Sequence, residues 1–95
     1  MAGTMFGVVN DDGTRADGPP PWTVERIGTG KYKITFNGGG FSPGETPAVV
    51  ATSRNDANNV VSVHAATYQS CEVQVFDSQA GQFQDRGFFF IAMCE

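Results

Sequence analysis

The sequence consists largely of short runs in which apolar and polar residues alternate. Successive side chains of a β-strand point to opposite faces, so alternation with a period of two predicts a strand with one buried face and one wet face. The clearest run covers residues 32–36, where Tyr32, Ile34 and Phe36 fall on the same face. No segment of the chain carries a convincing helical pattern.

Similar runs recur about every ten residues, with glycine, proline, asparagine and aspartate between them. They cover residues 4–9, 23–27, 32–36, 48–52, 60–68, 71–75 and 87–94. About seven short strands at this spacing favour an antiparallel sandwich or a jelly roll over any α/β fold. We therefore predict an all-β protein, built as a single antiparallel β-sandwich.

A length of 95 residues allows one domain, which we place at residues 1–95. Residues 1–21 are predicted to form an N-terminal hairpin and a proline-rich arm. The hairpin is indicated by Asn10–Gly13, because Asp-Gly readily supplies the positive φ angles of a tight turn. The arm contains Pro19–Pro21, which cannot join a central strand because proline has no N–H to donate.

Charge and hydropathy exclude several partners. The net charge of −4 argues against nucleic acid, which requires a clustered basic face. The sequence contains no run of about 18 apolar residues, so no membrane insertion is predicted. The first residues also lack the charged-then-apolar pattern of a signal peptide, which leaves the localisation unknown at this point.

Cys71 and Cys94 belong to no CxxC pair and to no Cys/His cluster, so we expect no zinc site, no other metal and no cofactor. A disulfide remains an alternative if their strands are neighbours. We favour two buried free thiols, because the missing leader pattern points to a reducing compartment during synthesis.

The last run departs from the alternating pattern. Phe88, Phe90 and Ala92 point to one face, but the opposite face is equally apolar and consists of Phe89, Ile91 and Met93. The segment 48–51 is apolar on both faces as well. Left in water, the second face of the last strand would form an unusually large apolar patch for a monomer. We therefore favour a subunit interface at Phe89, Ile91 and Met93 over a cover formed by a loop such as the proline-rich arm.

Several segments, in this order and spacing, resemble a recurring pattern of small bacterial and phage β-sandwich domains. They are Gly30–Phe36, Phe41, Pro47–Thr52, Val61–Val63, Val73–Asp77 and Asp85–Ala92. The pattern is similar to domains at the tips of phage tail fibres and to the H-type lectins, whose domain ends in a strand of the form aromatic-Ile-Ala. The resemblance implies a sandwich that assembles as a homotrimer, and it favours a virion, a phage-like particle or an extracellular surface as the location.

The same resemblance implies a ligand site. In H-type lectins the sugar lies near the subunit interface and is held by an aromatic residue, polar side chains and an arginine. The matching positions are Phe76 with Asp77, and Phe83, although Phe76 stands where tryptophan is expected. Arg54 is next to a loop that can approach the site. The resemblance thus suggests a cell-surface glycan bound by Arg54, Phe76, Asp77 and Phe83.

Residue patterns for catalysis are weak. The single histidine, His64, shares a strand face with Ser62 and Ala66, and nothing in the spacing suggests a Ser-His-Asp triad. We interpret His64 as a strand histidine or an interface contact. We interpret Trp22 as a packed residue rather than a surface for sugar stacking. For Phe83, two roles remain: an exposed contact for a sugar, or an anchor that holds its loop on the core.

These observations predict a non-enzymatic, trimeric recognition module with lectin-like carbohydrate binding at the tip of a fibre or surface particle. The alternative is a purely structural trimerisation or capping domain of a phage-type tail or fibre protein, without a small-molecule ligand. A small enzyme would require a buried polar constellation around His64.

Overall fold

The computed structural model describes residues 3–18, 22–36, 41–54 and 59–94. These residues form nine strands and no helix, which confirms the all-β class. The strands are β1 (Gly3–Val9), β2 (Arg15–Asp17), β3 (Trp22–Gly28), β4 (Lys31–Phe36), β5 (Ala48–Ser53), β6 (Asn59–His64), β7 (Ser70–Asp77), β8 (Gln82–Phe83) and β9 (Phe88–Cys94). The described part of the chain therefore holds no helix that could cross a membrane. The predicted arm residues Pro19–Pro21 lie outside the described residues.

The strands build two antiparallel sheets, consistent with the predicted sandwich. Sheet A has the order β2-β1-β9-β5, and sheet B has the order β3-β4-β7-β6. The short strand β8 pairs with the end of β7. Strands β5 and β6 contact each other and are the edge strands on one side of the molecule, while β2 and β3 are the opposite edges of the two sheets.

The core lies between the inner faces of β1, β4, β7 and β9, together with Trp22. Its largest fully buried side chains are Trp22, Tyr32, Phe88 and Phe90. The predicted division of β9 is confirmed, because Phe88, Phe90 and Ala92 are buried while Phe89, Ile91 and Met93 are exposed.

Trp22 joins the two sheets and is confirmed as a packed residue. Its ring meets Phe90 edge-on at a centroid distance of 4.8 Å, and its Nε1–H donates to the carbonyl of Phe6 at 3.1 Å. The Arg15 guanidinium lies 4.2 Å from the ring centroid on its face. A Cβ at Gly7 would lie only 2.0 Å from the Trp22 ring, so the indole requires glycine at this position.

Two strand boundaries differ from the sequence prediction. β6 ends at His64 instead of continuing to Tyr68, because Ala65 has a φ of 52°, which extended backbone does not allow. The predicted polar loop 77–85 contains the short strand β8, which returns along β7.

No disulfide joins Cys71 and Cys94, as we favoured, but only Cys71 is fully buried. Cys71 lies buried in sheet B, and Cys94 is half-buried at the end of sheet A. Burial raises the pKa of the Cys71 thiol to about 12, which keeps it protonated and unreactive at neutral pH.

We expect Phe90→Asp to unfold the domain. Phe90 is 2 % exposed and packs on Trp22, so the variant would bury an unpaired carboxylate at a cost of several kcal/mol, out of a total stability of about 5–15 kcal/mol. Far-UV circular dichroism during a thermal melt measures the loss. Phe89→Asp, one residue earlier and exposed, is the matched control and should stay folded. A folded Phe90→Asp protein would show that this face of β9 is assigned wrongly.

Candidate functional site

The outer face of sheet A is apolar across three neighbouring strands. Phe6 in β1, Ile91 in β9 and Val50 in β5 stand side by side in the strand register. Together with Phe89 and Met93 they are the large exposed hydrophobic residues of this sheet: Phe6 51 %, Val50 69 %, Phe89 42 %, Ile91 48 % and Met93 52 % exposed. The three residues predicted as an interface thus belong to a wider surface.

The other positions of this face in β1, β5 and β9 carry no charge either, while the fourth strand, β2, adds Asp17, the register partner of Val8. We define the outer face of sheet A by the nine residues that β1, β5 and β9 contribute: Thr4, Phe6, Val8, Ala48, Val50, Thr52, Phe89, Ile91 and Met93. Taking roughly 150–250 Å² for a large side chain, the five large hydrophobic residues expose on the order of 400–650 Å² together. Contiguous apolar patches of this size on soluble proteins often mark a binding surface.

The outer face of sheet B has the opposite character. One row across its four strands consists of Glu25, Lys33, Glu72 and His64. A shallow groove of about 490 Å³ runs over this face, lined by Glu25, Ile27, Lys33, Ala65, Ser70, Cys71 and Glu72. The charged row suits exposure to water better than the apolar outer face of sheet A does.

His64 lies at the end of β6 on this charged face. The Ser62 Oγ is 2.8 Å from its Nε2, so the predicted shared face of Ser62 and His64 is confirmed. The His64 side chain is exposed, and none of the described residues forms a buried polar constellation around it.

Phe76 and Phe83 form the aromatic part of the predicted ligand site, and the structure brings them together. Their rings meet edge to face at a centroid distance of 5.3 Å, because β8 pairs with β7 at this point. The Lys31 ammonium lies 4.8 Å from the Phe83 ring centroid, and the Phe83 side chain is 37 % exposed. Phe83 therefore both anchors β8 on β7 and presents part of an aromatic ring to solvent.

Asp77 stabilises the turn between β7 and β8. Its Oδ1 accepts hydrogen bonds from the backbone N–H groups of Gln79 at 2.9 Å and Ala80 at 3.1 Å. These bonds shape the turn that returns the chain to Phe83.

Arg54 is held by the loops at this end of the sandwich. Its Nη1 donates to Asn10 Oδ1 at 2.9 Å, which holds the guanidinium beside the turn between β1 and β2. Its backbone N–H donates to the carbonyl of Gly87 at 3.2 Å, just before β9. These bonds of Arg54 to described residues thus run to Asn10 and Gly87.

A polar cluster that the sequence did not indicate lies at the end of the sandwich that carries Phe83. Asp85 receives a hydrogen bond from Arg26 Nε to its Oδ2 at 3.0 Å and one from the Gly30 N–H to its Oδ1 at 2.7 Å. Gly30 has a φ of +68°, and a Cβ there would lie 2.6 Å from the carbonyl oxygen of Val75. The carboxylate therefore ties the β3–β4 turn to the segment that leads into β9.

Tyr32 extends this cluster towards the N-terminal hairpin. Its hydroxyl donates to the carbonyl of Asp11 at 2.6 Å. Burial, aided by the nearby charge of Asp85, raises the pKa of Tyr32 to about 12, so the hydroxyl remains a donor at neutral pH. The cluster connects three loops, and we therefore interpret its members as structural residues.

Among the described residues, no group of three or more His, Cys, Asp or Glu side chains is placed to hold a metal ion. Comparison with protein-family models, with curated proteins and with solved structures found no match to this chain. The resemblance to H-type lectins and tail-fibre tips therefore stays a prediction.

We expect Asp85→Asn to lower the melting temperature in a pH-dependent way. Burial raises the pKa of the Asp85 carboxyl, but the hydrogen bonds from Arg26 and Gly30 and the charge of Arg26 outweigh it, so the pKa is lowered overall. A carboxyl with a lowered pKa in the folded state stabilises the fold above its unfolded pKa, about 3.9, and loses this contribution as the pH falls through the folded value.

The measurement is the difference in melting temperature between wild type and Asp85→Asn at neutral pH and in acid. The difference should be present at neutral pH and disappear below the lowered pKa. Glu25→Gln, an exposed neighbour of Arg26 in β3, should show no such difference at either pH. An equal effect of Asp85→Asn at both pH values would mean that its charge is not what stabilises the cluster.

Proposed function

We propose that this chain is a non-enzymatic recognition module that assembles as a homotrimer and binds a cell-surface glycan, at the tip of a fibre or on a surface particle. The observation that carries the proposal is the apolar outer face of sheet A. A second copy of the same chain is the occupant that this face fits best, because its nine residues in β1, β5 and β9 include no charge to desolvate and Asp17 lies only at its β2 edge.

The size of the face supports association but does not complete an interface. At roughly 25 cal/mol per Å², burying 400–650 Å² is worth about 10–16 kcal/mol before costs. Association itself costs roughly 4–15 kcal/mol in lost freedom of motion. The gain and the cost are of similar size, which favours an arrangement in which each chain makes two contacts.

The ligand part of the proposal is supported by Phe83. Its partly exposed ring offers an apolar face for a sugar, and the Lys31 ammonium lies beside it as a hydrogen-bond donor. Arg54 would then come from a neighbouring copy, since within one chain it contacts Asn10 instead.

A second candidate is a structural trimerisation or capping domain without a small-molecule ligand. It is favoured by the contacts of Asp77 and Arg54, whose polar atoms are used inside the chain to hold a turn and a hairpin. Both candidates require the same assembly and differ only in whether a glycan binds.

We expect Phe89→Asp to convert the trimer into single chains, because three symmetry-related carboxylates would be placed on apolar surfaces. Light scattering on a sizing column should give about 30 kDa for wild type, three times 10.1 kDa, and about 10 kDa for the variant. Ile27→Asp, which is 46 % exposed on the outer face of sheet B, is the control and should keep the wild-type mass. A wild type with the mass of one chain would show that the face is covered from within the chain, for example by the proline-rich arm.

We expect Phe83→Ala to abolish glycan binding while the protein stays folded. The lost contact with Phe76 is worth about 0.5–1.5 kcal/mol and that with Lys31 about 0.5–1 kcal/mol, which a folded domain tolerates. Binding is measured on a glycan array, and folding by a thermal melt, with Ile27→Ala as the control for a lost exposed side chain. If wild type itself binds no glycan, the structural candidate replaces the recognition module.

A further inference from the structure

The core of the sandwich is incompletely covered on one side. The core hydrophobic residues of β1, β4, β7 and β9 are at most 7 % exposed. Those of the two edge strands β5 and β6 pack on the same core but stay half-buried, and they are Val49, Ala51, Val61 and Val63. We call these four residues the seam, because they lie where the edges of the two sheets meet.

The two strands beside the seam also lack the usual protection of a sheet edge. Natural edge strands are protected by charges, bulges or short length, because their free N–H and C=O groups can pair with another chain. On the opposite side, β2 has only three residues, including Arg15 and Asp17, and β3 carries Glu25 and Arg26 with a shift in register. Strands β5 and β6 contain no lysine, arginine, aspartate or glutamate, and β5 pairs with β9 without a register shift.

The chain thus presents two different apolar surfaces that adjoin along β5. The outer face of sheet A lies on one side of this strand, and the seam lies at its edge. A contact between identical patches around a twofold axis would cover the outer face of sheet A and leave the seam exposed. A contact between unlike patches covers both surfaces. Because the two surfaces lie on adjoining sides of the subunit, each copy is rotated relative to the previous one, and the copies can close into a ring.

We propose that the seam of one copy packs against the outer face of sheet A of the next copy, and that three such contacts close the trimer. This arrangement rests on the proposed trimeric function and names the partner of the outer face of sheet A, namely the β5/β6 side of a second copy of this chain. Each chain then contributes two surfaces to two contacts, so it buries more area in total than the outer face of sheet A provides in a single contact. It also removes the two unprotected strand edges from solvent.

The test places a charge beside the seam rather than on the outer face of sheet A. Val60 in β6 neighbours Val61 of the seam, is 55 % exposed and points to the outer face of sheet B. Val60→Lys should weaken the trimer at least tenfold and give mainly single chains in light scattering, because Val60 belongs to the edge strand β6 and a lysine there borders the β5/β6 side that the next copy would cover. Ile27→Lys is the matched control, because Ile27 is 46 % exposed on the same sheet but lies in the opposite edge strand β3, and it should leave the mass unchanged.

The measured masses distinguish a failure of the proposed packing from a failure of the proposed trimer. A wild type of three chains whose mass is unaffected by Val60→Lys keeps the proposed function but overturns the packing of seam on face. A wild type of two chains overturns the ring and points to a twofold contact between outer faces. A wild type of one chain overturns both proposals.

Amide hydrogen exchange gives a second readout that does not depend on the folding of Val60→Lys. The backbone amides of β5 and β6 should exchange faster in the single-chain Phe89→Asp variant than in wild type, while those of β3 should be unchanged. Equal exchange of β5 and β6 in the two proteins would show that the seam is not covered in the assembly.

Discussion

The packing of Trp22 between the two sheets is the interaction on which the rest of the fold depends. The indole contacts Phe90 of sheet A from its own position in β3 of sheet B, and its N–H is satisfied by the carbonyl of Phe6. Room for it exists only because Gly7 has no side chain. One residue therefore sets the spacing of β1, β3 and β9, and with it which face of β9 enters the core.

Once Phe88, Phe90 and Ala92 are inside, the alternation of the strand places Phe89, Ile91 and Met93 outside. The core and the proposed interface are thus two consequences of the same strand. The outer face of sheet B instead carries a row of charged and polar residues across its four strands, as is usual for a sheet face in water. The contrast between the two outer faces within one small domain, rather than the apolar area alone, is the strongest sign that sheet A meets a partner.

The loops at the end near Asp85 are held by a different kind of force. Directed hydrogen bonds from Arg26 and Gly30 to one carboxylate, and from Tyr32 to a backbone carbonyl, position two hairpin turns and the segment between β8 and β9 relative to each other. These contacts also hold the region next to Phe83 and Arg54 in place. A rigid end of this kind suits a recognition surface, because it lowers the entropy lost on binding.

The alternating pattern of the sequence alone determined the longer strands, the buried face of β9 and its exposed apolar face, because side-chain alternation is a local property of extended backbone. It missed the short strands β2 and β8. It did not reveal that Phe6 and Val50 flank Ile91, since the order of strands in a sheet depends on pairings between distant segments. Asp85 was missed for the same reason: its partners Arg26 and Gly30 are more than fifty residues away in the chain and give no local signal. The early end of β6 at Ala65 and the seam between β5 and β6 were likewise decided by tertiary structure, because only the packed sheets determine where a strand must turn and which side of the core remains open.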